Sequence, residues 1–206
     1  MTGGIAVLDY GIGNLRSAER ALTHVGAAAR LVTDPDDVAG AAGVVLPGVG
    51  AFGSAAAALE HTGLGDAAWR AIRDGVPFLG ICVGLQLLYS ASEESPGVAG
   101  LGVFEGTVRR LDAKMKVPQM QWNSLRRRRE SAILEGTGEA PWVYFVHSYA
   151  PDPDEAAEET VATCDYGGPV VAALQARNVW AVQFHPEKSG ATGLRILSNF
   201  VARCAP

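Results

Sequence analysis

A chain of 206 residues with 48% hydrophobic residues can bury a sizeable core, and this composition excludes a disordered or collagen-like polypeptide. A formal net charge of −5 argues against general nucleic-acid binding. Three cysteines far apart in sequence form neither a disulfide framework nor a spaced zinc site, and a reducing, cytoplasmic setting fits best; separately, no metal and no cofactor are expected.

The opening MTGGIAVLDY has no basic leader and reads as a strand rather than a signal peptide, and no apolar run reaches the length of a membrane span. Within it, Ile5–Leu8 is a short apolar run stopped by Asp9-Tyr10-Gly11-Ile12-Gly13, which predicts a buried strand and a glycine turn. Asn14 is placed to N-cap a helix whose apolar stripe is Leu15, Ala18, Leu22 and Val25. Strands are expected at Ala29–Val32 and at Val44–Leu46, the second ended by PGVGAFG, with helices at Ala55–Leu59 and Ala67–Ile72. Pro77–Ile81 is a further apolar strand, and Leu85–Tyr89 is assigned to the helix after it. Strands alternating with helices predict a parallel sheet covered on both faces.

Beyond about residue 100 the pattern changes. VFEGTVRRL, WVYFVHSYA, TVATCDY, VVAALQA and VWAVQFHPE are strand-like and separated by short turns, so this half is expected to be partly antiparallel. The chain closes with a helix over Gly193–Val201, its stripe including Leu194, Leu197 and Val201. The runs PDPDEAAEE and RRRRE read as exposed loop or strand-end charge. The expected fold is α/β, a mixed, mainly parallel sheet flanked by helices, in one domain over residues 1–206.

One stretch carries chemistry. In GICVGLQLL, Cys82 stands between two glycines where a strand turns directly into a helix. This resembles a nucleophile elbow with cysteine in place of serine. The glycines permit a strained backbone, the helix N-terminus favours a thiolate, and the Val83 N–H is placed to hold an oxyanion. Taken alone, a packed core thiol is an equal reading. A thiolate needs a base, and QFHPEKS offers one: His185 ends the strand Trp180–Phe184, and Glu187 follows across a proline that fixes the turn. His147, in FVHSYA, alternates with aromatics and is expected to face a pocket; His24 and His61 read as surface residues, and Cys164 and Cys204 as structural.

DYGIGN, PGVGAFG, GICVGLQLL, WN at 122–123, YFVHSYA and QFHPEKSG together resemble the class I, triad-type glutamine amidotransferases, from residue 9 to residue 190. Within that family the chain is most similar to the glutaminase subunits that serve imidazole glycerol phosphate synthase in histidine biosynthesis. The resemblance implies a flavodoxin-like fold and a catalytic triad of Cys82, His185 and Glu187, which would convert glutamine to glutamate and ammonia through a thioester. It also implies oxyanion donors from Val83 and from Val49 or Gly50, and a glutamine pocket including Gln86, His147, Ser148 and Tyr149. The implied partner is the cyclase subunit of that synthase, in a heterodimer, with no nucleic acid and no membrane. The family usually reads Pro-His-Met-Gly-Trp-Asn where this chain has Pro118-Gln119-Met120-Gln121-Trp122-Asn123. Gln119, Gln121, Trp122 and Asn123 are the expected partner contacts, with Trp122 as anchor. Three other readings stay open: the same chemistry serving a different synthase such as one aminating a sugar, a non-catalytic subunit of the same fold, and a peptidase-type cysteine hydrolase.

Overall fold

The computed structural model describes residues 3–112 and 114–204. Its elements run β1 (Ile5–Leu8), α1 (Leu15–His24), β2 (Ala29–Val32), β3 (Gly43–Gly48), α2 (Phe52–His61), α3 (Leu64–Arg73), β4 (Phe78–Cys82), α4 (Val83–Gln86) and β5 (Tyr89–Ser92). They continue with β6 (Phe104–Arg110), β7 (Gln119–Ser124), β8 (Arg126–Arg127), β9 (Trp142–His147), β10 (Tyr149–Pro151), β11 (Thr160–Asp165), β12 (Pro169–Ala176), β13 (Val179–Val182) and α5 (Gly190–Cys204).

The main sheet has the order β2-β1-β3-β4-β13-β12-β11-β8. The first five strands of that order are parallel and the remainder antiparallel. The fold is therefore α/β with a mixed, mainly parallel sheet, and its parallel part follows the flavodoxin-like order. The central strands β1, β3, β4 and β13 are buried along their whole length, which is why their sequences are unbroken apolar runs rather than alternating ones. The crossover through α1 runs outward from β1 to β2, whereas α2 and α3 lead from β3 onward to β4. Right-handed connections in opposite directions place these helices on opposite faces of the sheet. α5 packs with α1.

Several elements depart from the sequence expectation. Leu85–Tyr89 is not one helix: α4 ends at Gln86, and Tyr89 begins β5, because this segment is captured by β6 through the pairing Tyr89↔Phe104. WVYFVHSYA is two strands in two sheets, β9 pairing with β7 and β10 with β6, so the chain changes sheets at Ser148. β13 stops at Val182, short of the expected Phe184. The closing helix is longer than expected; its buried face is Ile196, Leu197, Phe200 and Cys204, with Val201 half-buried against the core as expected and Leu194 not among the buried residues. The arginine run is only partly free charge: Arg127 donates to the Leu134 carbonyl, and Arg129 donates to the Glu159 and Gln175 carbonyls.

Candidate active site

The residues singled out for chemistry gather at the carboxyl ends of β3, β4 and β13, where open parallel sheets place their ligand crevices. Cys82 closes β4 at φ 56° and ψ −111°; among the described residues it shares positive φ, outside glycine, only with Arg177. Holding a non-glycine residue there costs on the order of 1–3 kcal/mol, and the surroundings enforce it. β4 turns into α4 with no intervening loop. The flanking glycines let α4 lie directly on the neighbouring backbone: a Cβ on Gly84 would overlap the Leu46 carbonyl, and one on Gly80 would come 2.9 Å from the Gly84 oxygen. α4 is a single turn, so the support it offers a thiolate comes from its few free N–H groups rather than from a long macrodipole. The Val83 N–H has no acceptor among the described residues.

Parallel pairing of β4 with β13, with Val182 opposite Ile81, brings the segment after β13 to the thiol. Gln183 donates through Nε2 to the Cys82 sulfur at 3.7 Å. His185 follows, buried at 2% exposure, with Nδ1 2.7 Å from Glu187 Oε1. Burial alone would lower the His185 pKa, but the nearby Cys82 sulfur and the hydrogen-bonded Glu187 carboxylate outweigh it and raise the pKa to about 9; Nε2 is buried with no hydrogen-bond partner among the described residues. Glu187 Oε1 also accepts from Asn14 Nδ2 at 3.2 Å. Asn14 therefore makes no side-chain cap on α1; the asparagine expected to start a helix instead orients the carboxylate.

A cavity of about 290 Å³ opens on the thiol. Val49, Gly50, Val83, Gln86, His147, Ser148 and Tyr149 all line it, together with Cys82 and His185. Gln86 is buried and donates to the Tyr149 carbonyl at 2.9 Å and to Gln183 Oε1 at 3.2 Å. The turn bearing Val49 and Gly50 is secured from below by Tyr10, whose hydroxyl donates to the Pro47 carbonyl at 2.7 Å. Burial first, and then the nearby Cys82, push the Tyr10 pKa up, so it remains a donor.

Sequence reasoning missed Gln183 and Glu94. Glu94 lines the cavity and accepts from the Phe52 N–H at 2.7 Å, capping a helix that has no cap of its own. No local signal marks it, because the contact spans 42 residues. Gln183 sits in QFHPE and was legible only as strand.

Gln119 is a correction. It is 0% exposed and cannot touch a partner, because the first residue of β7 points inward against His147 and Cys164. Gln121 and Trp122 are exposed, and half-buried Asn123 donates to the Asp165 carbonyl at 2.9 Å. Trp122 packs edge-on against Tyr144 yet remains 47% exposed, beside Met120 at 62% and Trp142 at 56%. The register Trp122↔Tyr144 and Ser124↔Trp142 puts these side chains on one outer face of the β7–β9 pair.

The raised His185 pKa has a consequence for stability. The folded state binds this proton more tightly than the unfolded chain, whose histidine titrates near about 6.5. The stabilisation is complete below that value and is lost as pH rises through about 9. The melting temperature is expected to decline between pH 6.5 and 9.5, and His185→Gln should flatten that part of the curve. An unchanged slope in the variant would contradict the assignment.

Comparison with known proteins gives a consistent picture. Residues 6–204 match the family profile described as glutamine amidotransferase class-I. The chain is 51% identical over 197 residues to the imidazole glycerol phosphate synthase subunit HisH of Methanothermobacter thermautotrophicus, covering 96% of this chain and 97% of that protein. It is 46% identical over 200 residues to the chloroplastic imidazole glycerol phosphate synthase hisHF of Arabidopsis thaliana, covering 96% of this chain but 34% of that longer protein. A crystal structure of a glutamine amidotransferase superposes with a TM-score of 0.78 at 22% identity, over 98% of this chain and 99% of that one, a likeness of fold.

Proposed function

The chain belongs to the class I glutamine amidotransferases, and from that premise we propose that it is the glutaminase subunit of an imidazole glycerol phosphate synthase. The observation that carries the chemistry is a strained cysteine at the floor of a cavity, flanked by a histidine that is hydrogen-bonded to a buried carboxylate at 2.7 Å.

Cys82 passes its proton to His185, and the thiolate attacks the side-chain amide carbon of glutamine. The oxyanion that forms is stabilised by the Val83 N–H and by an N–H of the Val49–Gly50 turn. Collapse breaks the C–N bond, and the His185 imidazolium gives its proton to the departing ammonia. A glutamyl thioester remains. His185 then takes a proton from water, which attacks the thioester and releases glutamate and the free thiol. Glu187 holds His185 in the productive orientation, and Asn14 holds Glu187. Glu94 supplies a carboxylate for the substrate's ammonium group, and Gln86, Ser148 and Tyr149 shape the remainder of the pocket.

The partner is a cyclase that consumes the ammonia, in a heterodimer. The protein from Methanothermobacter is named as a subunit, and two-thirds of the Arabidopsis protein lies outside its match to this chain. The outer face of β7 and β9, with Met120, Trp122 and Trp142, supports the same reading. It is an aromatic-rich exposed patch, and it continues to the cavity rim through Pro118 and Val146. A cyclase covering it would collect ammonia without exposure to bulk water. Three free cysteines fit a reducing cytoplasm.

The test is the rate of glutamine hydrolysis by the free chain, by the chain with cyclase, and by that complex with the cyclase's ligand. One oxyanion donor is worth roughly 2.7–4 kcal/mol, so reorienting a single peptide in the glycine turn would raise the rate about 100- to 1000-fold on docking. Trp122→Ala should weaken both docking and activation. Equal rates in all three states would remove the regulatory part of the reading, and normal activation of Trp122→Ala would remove this face from the interface.

A further inference from the structure

A buried chain of polar side chains leads away from the nucleophile and ends on a second thiol. From Cys82 it passes to Gln183, to Gln86, to the Tyr149 carbonyl, to His147 Nδ1 at 2.8 Å, and from His147 Nε2 to the Gln119 amide at 3.0 Å; Gln119 then meets Cys164 at 3.7 Å. His147, Gln119 and Cys164 are each buried.

Donors and acceptors in this chain have to balance. The Tyr149 carbonyl only accepts, so His147 must carry its hydrogen on Nδ1. Burial opposes a second hydrogen on Nε2: against the Tyr149 hydrogen bond, burial and, to a lesser degree, the proximity of His185 push the His147 pKa down to about 4, while His185 is the group that holds the proton. Nε2 is therefore a bare acceptor and needs a donor. As placed, the Gln119 amide turns its oxygen toward His147 and its nitrogen toward Cys164. An amide's two ends are told apart only by their partners, and these partners reverse them. The NH₂ then donates to His147 Nε2, and the oxygen accepts from the Cys164 S–H. Burial keeps that thiol protonated, with its pKa pushed up to about 11.

We propose that Gln119 is a positioning residue: its amide donates to His147 Nε2, fixes His147 as the neutral Nδ1–H tautomer, and through the shared Tyr149 carbonyl holds Gln86 in the glutamine pocket. The arrangement also keeps a second histidine near His185 from competing for the catalytic proton. Gln119 acts through the pocket wall and touches no reacting atom. The kinetic part of this inference rests on the glutaminase reading; the tautomer does not.

The experiment combines nitrogen NMR of ¹⁵N-histidine-labelled protein with steady-state kinetics. In the wild type, His147 is expected to be neutral and protonated on Nδ1 at pH 7; finding Nε2–H or the cation there overturns the proposal. Gln119→Glu retains the size but presents oxygens that only accept, so His147 should gain a hydrogen on Nε2. KM for glutamine should then rise about tenfold, the effect of one lost buried hydrogen bond, with kcat changed less. Gln119→His restores an N–H donor and should return KM toward the wild-type value. Gln119→Glu with an unshifted tautomer, or with unchanged KM, overturns the relay. If Gln119→Glu does not fold, the wild-type tautomer and Gln119→His still decide. Absence of Cys82-dependent hydrolysis in the wild type would instead overturn the functional reading, and the tautomer measurement would judge the relay separately.

Discussion

Cys82→Ala is expected to lower glutamine hydrolysis by roughly 10,000-fold or more, the scale set by removal of a covalent nucleophile from a working triad. Alanine leaves the cavity, the N–H groups of the elbow and the His185–Glu187 pair in place, but no atom remains to form the thioester. Cys82→Ser should fail nearly as completely. The site holds its catalytic proton on a histidine raised to about 9, which is suited to a thiolate–imidazolium pair and not to deprotonating an alcohol. Two controls separate lost chemistry from lost structure. The variant bound to its cyclase should still make product from ammonium salts at raised pH, since only the ammonia source is missing. A glutamine-like affinity label should modify Cys82 in the wild type and spare Cys164 and Cys204. Burial pushes those two thiols up to about 11 and about 12, and neither lines the cavity. Substantial hydrolysis by Cys82→Ala would sink the triad assignment.

The parallel core was legible because its strands are buried on both sides and bounded by glycine turns, so period, length and punctuation agree at Ile5–Leu8, Val44–Leu46 and Pro77–Ile81. The elbow was legible because close backbone approach requires glycines at 80 and 84. What stayed hidden was decided by distant partners. Asn14 carries the local signature of a helix cap, yet its amide is taken by Glu187, 173 residues away. Leu85–Tyr89 has a helix-like pattern, yet β6 claims its second half. Gln119 lies in a motif associated with an interface, but strand alternation turns it inward and Trp122 outward, and only the register with β9 fixes which residue faces which way.

Glu187→Gln should cost roughly 10,000-fold in kcat, comparable to replacing the carboxylate of a serine-protease triad by its amide, while KM changes little. The reason lies in the hydrogen-bond count. Glu187 Oε1 accepts from both His185 Nδ1 at 2.7 Å and Asn14 Nδ2 at 3.2 Å, and a carboxylate oxygen can do this without donating anything in return. Oε2 is buried with no hydrogen-bond partner among the described residues. A glutamine at this position would bury an NH₂ in the place of Oε2, where none of the described residues accepts from it. Rotating the amide turns that NH₂ toward His185 Nδ1 and supplies the missing acceptor. His185 is then stabilised with its hydrogen on Nε2, the tautomer that cannot take the Cys82 proton. Loss of the buried negative charge also lowers the His185 pKa, so the thiolate–imidazolium pair is disfavoured a second time. Two measurements distinguish this from a damaged fold. Alkylation of Cys82 at neutral pH should slow and regain speed only at higher pH, and Asn14→Ala, which leaves the carboxylate but loosens it, should cost about tenfold or less. A Glu187→Gln enzyme within tenfold of the wild-type kcat, with unchanged thiol reactivity, would show that His185 is oriented by something other than this carboxylate.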